Sequence, residues 1–161
     1  RTSGTPQGRG KKGNAAYGAF YEAVKEGEKP KGELTMLDQN DAGKIERNMG
    51  DLKRVHEAFT SRDSKCYEHY VKLLNHAMKE KHLTRAAKEL IGVGIAAYVY
   101  CEPCLTWHIR EALKAGATEE QVVEAVEVAI EMGGGTVVAR GAVYAFKALE
   151  YYRERGVGRK G

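Results

Sequence analysis

Cys101 and Cys104, separated by two residues, with His108 four residues further on, form the stretch of this chain best suited to chemistry. Pro103 stands between the cysteines. Proline has no N–H to lose in a first helical turn, so it predicts a helix starting there. Cys104 and His108 then share one helix face, a turn apart. Cys101 falls just before that turn, where its sulfur can reach that of Cys104. A helix N-terminus offers unpaired N–H groups and a partial positive charge, and both favour a thiolate. An imidazole within reach can take the thiol proton and stabilise the anion. Thiolate, base and second thiol are the parts that thiol–disulfide exchange requires. Cys104 is the expected attacking thiol because His108 is one turn away, and Cys101 resolves; the opposite order is nearly as good on geometry. Glu89 lies twelve residues before Cys101, where an apolar run begins. Buried, such a carboxylate can shuttle protons near neutral pH; at a wet helix end it is an ordinary solvated charge.

The elements that must position these groups read as helices. From Lys44 to Phe59, Ile45, Met49, Leu52, Val55 and Phe59 recur at threes and fours. Ser61 or Asp63 can cap the next helix, to about Lys81, with Cys66 on its apolar stripe as a small buried hydrophobe. Thr84 can cap a helix over 85–100 that is apolar nearly all round from Leu90 to Tyr100, as expected of a domain core or an oligomer interface. The helix opened by Pro103 runs to Ala115 and stops at Gly116. Thr118 and Gln121 make a capping box for 119–132. Gly133–Gly135 makes a tight turn before a last helix over 136–154, whose Tyr144, Tyr151 and Tyr152 are expected to pack against other subunits. No strand-period stretch of useful length occurs, so the fold class is all-α, a helical bundle. Residues 1–45 read as an extension: a Gly-rich basic arm, a short helix over 14–26 and a linker over 27–43. Residues 46–155 form the domain, and 156–161 a basic tail.

Glu89, eleven residues, Cys101, two residues, Cys104, three residues and His108 together resemble the active-site pattern of the alkyl hydroperoxidase D-like group. That group sits within the wider carboxymuconolactone decarboxylase family. The tract "AGATEEQVVEAVEVA" and the "MGGG" turn resemble the family's accompaniments, and the likeness covers about 50–155. The resemblance implies a compact all-helical fold that assembles into a homotrimer or homohexamer. It implies a redox-active pair, Cys101 and Cys104, with His108 and Glu89 as a proton relay. It further implies a peroxide or disulfide substrate and a thiol or dithiol electron-donor protein. One position departs: the best-described peroxidases of the group carry a second His directly before the second Cys, and Pro103 stands here. Members of the decarboxylase branch lack the Cys pair.

Composition narrows the alternatives. The formal net charge is +4, but residues 1–12 carry +4 and residues 153–161 carry +3, leaving −3 on 13–152. A nucleic-acid binder more often concentrates positive charge on a structured face, so nucleic acid is not an expected partner. No apolar leader or membrane-length run is present, and a cytoplasmic location is expected. Three cysteines are an odd count and argue against a disulfide-stapled secreted domain. No cofactor is expected beyond the disulfide. Competing readings are a zinc site from Cys101, Cys104, His108 and Glu89, a metal patch from His69 and His76, and a non-catalytic assembly protein docked through its basic arm. Haem attachment would need the His immediately after the second Cys.

Overall fold

The computed structural model describes residues 35–158. The basic arm, the helix expected over 14–26, residues 27–34 of the linker and the end of the tail lie outside the described residues.

Helix α1, Gln39–Thr60, is set by a capping box at Asp38. The Asp38 carboxylate accepts from the Asp41 N–H at 2.8 Å, and the Asp41 carboxylate accepts from the Asp38 N–H at 3.4 Å. This start lies within the stretch read as linker. The first turn is polar throughout, so apolar spacing reveals the helix only from Lys44 onward. Ile45 is its one buried side chain.

Helix α2, Lys65–Met78, is capped by Ser64 rather than by Ser61 or Asp63. Ser61 instead closes α1, and Asp63 takes a positive φ of 49° in the turn between. No residue of α2 is buried. Cys66 is therefore exposed, not a core hydrophobe. The rest of its stripe is only half-covered: Tyr67 stacks on Phe59 with ring centres 4.7 Å apart, and Val71, Leu74 and Met78 are half-buried.

Helix α3, Arg85–Tyr98, has the expected Thr84 cap, which accepts from the Ala87 N–H at 3.1 Å. One face, Glu89, Val93, Ala96 and Ala97, is buried, while Ile91, Ile95, Tyr98 and Val99 are exposed. Helix α4, Glu102–Lys114, and helix α5, Glu119–Gly133, make the most extensive packing with α3. Thr118 and Gln121 form the expected capping box.

Only Gly134 of the glycine run turns the chain, with φ 57°. The expected final helix is not uniform: a π-helical segment, Val137–Ala142, leads into α6, Val143–Glu154. Within that segment, a Cβ at Gly141 would collide with the backbone carbonyl of Ala97. A glycine is what allows this closeness to α3.

The core gathers Val93, Leu105, Ile109, Val122, Ala148 and Leu149, with Ile45 from α1. Tyr144, Tyr151 and Tyr152 belong to it, buried within the single chain rather than held for another subunit. Among the described residues there is no strand, and no helix is long and apolar enough to cross a membrane.

Candidate active site

The cysteines sit where α3 hands over to α4. Cys101 is the N-cap of α4, and Pro103 lies in the first turn as its chemistry requires. The Cys101 side chain makes no capping hydrogen bond. Its sulfur is joined instead to that of Cys104 in a disulfide, with the two Cα atoms 5.2 Å apart. Both residues are partly exposed.

Tyr100, just before the pair, has a φ of 52°. Left-handed backbone is unfavourable for a bulky side chain, so other contacts must hold it. The Tyr100 hydroxyl donates to Glu102 Oε1 at 2.7 Å, and the Arg140 guanidinium sits 3.9 Å from the centre of its ring. Lys44 Nζ lies 2.6 Å from Glu102 Oε2. A bare carboxylate beside Cys101 would oppose a thiolate, and the Lys44 charge offsets it. The same hydrogen bond holds the Lys44 ammonium above its ordinary pKa.

The first turn of α4 is anchored from below. Thr106, fully buried, donates to the Glu102 carbonyl at 3.0 Å and shares a hydrogen bond with the Tyr144 hydroxyl at 2.8 Å. Asn48 Nδ2 donates to Tyr144, and the Tyr152 hydroxyl donates to the Thr106 carbonyl. Burial pushes the Tyr144 and Tyr152 phenols above their ordinary pKa.

Glu89 is 0 % exposed. The helix-end reading of this residue does not hold, because α3 turns it toward α4. Its Oε2 lies 2.6 Å from His108 Nδ1. A carboxylate accepts, so Nδ1 carries the proton and the lone pair falls to Nε2. Glu89 Oε1 lies 2.5 Å from Arg85 Nη2, a charge contact whose angles fall outside hydrogen-bond geometry. The buried carboxylate thus has a cation on one oxygen and an imidazole on the other. The His108 side chain is 25 % exposed, so the ring spans the interior and the surface.

The four residues singled out form two pairs: Cys101 and Cys104 are joined at the α3–α4 junction, and Glu89 and His108 meet between the two helices. Spacing did not single out Arg85, Lys44, Tyr100 or Arg140. Arg85 stands four residues before Glu89 and could have been read as its helical ion-pair partner. Lys44 and Arg140 reach the site through the tertiary fold and leave no local signal. Trp107, beside His108, stacks with Arg110, whose guanidinium is 4.7 Å from the ring centre. The zinc arrangement is not assembled, since the two sulfurs are bonded to each other and Glu89 is engaged by Arg85 and His108. Among the described residues no group of three or more His, Cys, Asp or Glu side chains is placed to hold a metal ion, His69 and His76 included.

An uncharacterized protein of Cupriavidus necator is 43 % identical over 76 residues, covering 47 % of this chain and 64 % of the relative. A protein of the cox locus of Paracoccus denitrificans is 40 % identical over 67 residues, covering 42 % of this chain and 57 % of the relative. The chain thus matches less than two thirds of the length of either relative. The crystal structure of a carboxymuconolactone decarboxylase family protein from Legionella pneumophila, in its apo form, superposes with a TM-score of 0.62 at 27 % identity. That match covers 72 % of this chain and 98 % of the neighbour. The carboxymuconolactone decarboxylase family model matches residues 65–149, from α2 into α6. With more than half of its length matched and the family's all-helical fold in place, the chain belongs to the carboxymuconolactone decarboxylase family.

Proposed function

We propose that the protein is a thiol–disulfide oxidoreductase of the alkyl hydroperoxidase D-like group, acting as a thiol-dependent peroxidase or disulfide reductase. One observation carries this reading: a Cys101–Cys104 disulfide at a helix N-terminus, followed one turn later by an imidazole held by a buried carboxylate. The family also contains decarboxylases, but a redox pair has no part to play in their branch.

In the reduced protein, His108 Nε2 accepts the Cys104 thiol proton, and the amides of the α4 N-terminus favour the anion. Glu89 fixes the tautomer and offsets the charge that His108 gains. The thiolate attacks a peroxide oxygen, the O–O bond breaks, and the alcohol leaves with a proton from His108. Cys104 becomes a sulfenic acid. The Cys101 thiol attacks that sulfur, the S–S bond forms and water leaves. Two thiols lose two electrons and the peroxide gains them. A thiol or dithiol donor protein then reduces the disulfide by exchange. With a disulfide substrate, the same thiolate attacks sulfur instead.

The active form is proposed to be a cytoplasmic homotrimer or homohexamer. In support, Ile91, Ile95, Tyr98, Val128 and Met132 line an open apolar groove of about 440 Å³ between α3 and α5. Contiguous apolar surface of this kind marks interaction faces.

Peroxide consumption with a small dithiol as donor tests the reading. Wild type should turn over, and Cys101→Ser and Cys104→Ser should each abolish turnover. Equal rates in all three proteins would overturn it. The order of attack is tested by trapping a mixed disulfide with each single-Cys variant. The adduct should form when Cys101 is replaced and not when Cys104 is.

A further inference from the structure

Glycine in a helix interior lowers helix stability relative to alanine, so a glycine in α3 needs a reason. Arg85, Glu89 and Gly92 succeed one another by four and three residues, which puts them on one face. A Cβ built on Gly92 would stand 2.7 Å from His108 Nδ1, 2.8 Å from Cγ and 2.9 Å from Cε1. Its three nearest atoms all belong to that one ring. The imidazole therefore lies across the bare Cα of Gly92. The ring is not free to yield, because its Nδ1 is tied to the buried Glu89 at 2.6 Å. Gly94, two residues on, is different: its Cβ would meet the backbone carbonyl of Ala125 at 3.1 Å, an ordinary helix-packing approach to α5.

We propose that Gly92 is a positioning residue for His108, its missing side chain forming the seat in which the ring can reach Glu89 with Nδ1 and keep Nε2 for the thiol. The chemical consequence rests on the reading of His108 as the base for Cys104. The seat itself does not. A methyl group at position 92 would lift the ring, break the contact with Glu89 and displace Nε2 from the thiol it serves.

The test uses the full-length reduced protein and three variants: Gly92→Ala, Gly94→Ala and His108→Ala. Nitrogen-15 NMR of the ring should show Nδ1 protonated and its proton hydrogen-bonded in wild type and Gly94→Ala, and that signature should vanish in Gly92→Ala. Alkylation of Cys104 by iodoacetamide should slow about tenfold or more in Gly92→Ala, as expected for a displaced reacting group. Melting provides a second readout that survives a poorly folded variant. In the wild-type background Gly92→Ala should lower the melting temperature, whereas in the His108→Ala background it should raise it, because alanine is the better helix former once the ring is gone. Persistence of the Nδ1–H signature in Gly92→Ala, or an equal effect of the Gly92→Ala change on melting in both backgrounds, overturns the proposal. Loss of the signature with wild-type alkylation rates in both Gly92→Ala and His108→Ala supports the seat and refutes His108 as the base.

Discussion

At the scale of single residues, the site depends on one buried charge and what it touches. Glu89 would be costly to bury alone, but Arg85 and His108 share its two oxygens. Arg85→Ala should destabilise the protein by about 2 kcal/mol, below the usual range for breaking a buried pair because Arg85 is itself 38 % exposed. Chemical denaturation measures this, and a change under about 0.5 kcal/mol would mean that water replaces the guanidinium without loss. His108→Ala should cut peroxide turnover about 100-fold or more, as removal of a general base does, while leaving the disulfide able to form. Steady-state rates across pH separate this from a folding defect. Helical spacing alone puts Cys104 and His108 on one face of α4 with Cys101 at its cap, whereas Glu89 stands on another helix and only the family resemblance links it to them. Arg85 carries the same kind of signal four residues away, but an i, i+4 pair on a helix surface is common and does not announce a buried partner. Cys66 misleads for a related reason: its helix is truly amphipathic, but the described chain only half-covers the apolar stripe and leaves Cys66 exposed.

At the scale of elements, the α3–α4 junction is held by side chains from distant helices. Lys44 of α1 and Arg140 of the π-helical segment converge on Glu102 and Tyr100. Beneath them, Thr106, Tyr144 and Tyr152 lock the first turn of α4 onto α6. The two phenols have raised pKa values chiefly through burial. The folded state therefore keeps protons that the unfolded chain releases above about pH 10. Stability should be full below that pH and should fall as pH rises through it toward the folded-state values. Tyr152→Phe should cost about 1 kcal/mol at neutral pH through its lost hydrogen bond, and it should flatten the alkaline decline. Denaturation midpoints between pH 7 and 11 check both effects, and an unchanged alkaline slope in the variant would contradict them. Helix existence reads well from periodicity and caps, as Thr84, Thr118 and Gln121 show. The start of α1 does not, since a polar first turn has no period and its box pairs two aspartates. The π-helical segment is invisible for another reason: its need for Gly141 comes from the carbonyl of Ala97, forty-four residues away in sequence.

At the scale of the whole molecule, one side of α3 is core and the other is open. Ile95 is 60 % exposed and Met132 70 % exposed, on neighbouring helices beside the same groove. Light scattering of the purified protein should therefore report a trimer or hexamer. Val128→Glu should yield a smaller species with unchanged helix content, and a monomeric wild type would contradict the proposed assembly. Alternation of apolar and polar residues reveals that α3 is apolar all round, but it cannot tell a face buried in the core from one left for another subunit. The three late tyrosines show the same limit from the opposite side, because they read as surface and lie in the core. The most direct measurement is a single turnover. The fully reduced protein is mixed with one equivalent of peroxide, and the products are mapped by mass spectrometry. Two thiols should disappear, joined as Cys101–Cys104, with the exposed Cys66 left unmodified. Peroxide that goes unconsumed, or that oxidises Cys66 while the pair stays reduced, would contradict a redox role for the α3–α4 junction.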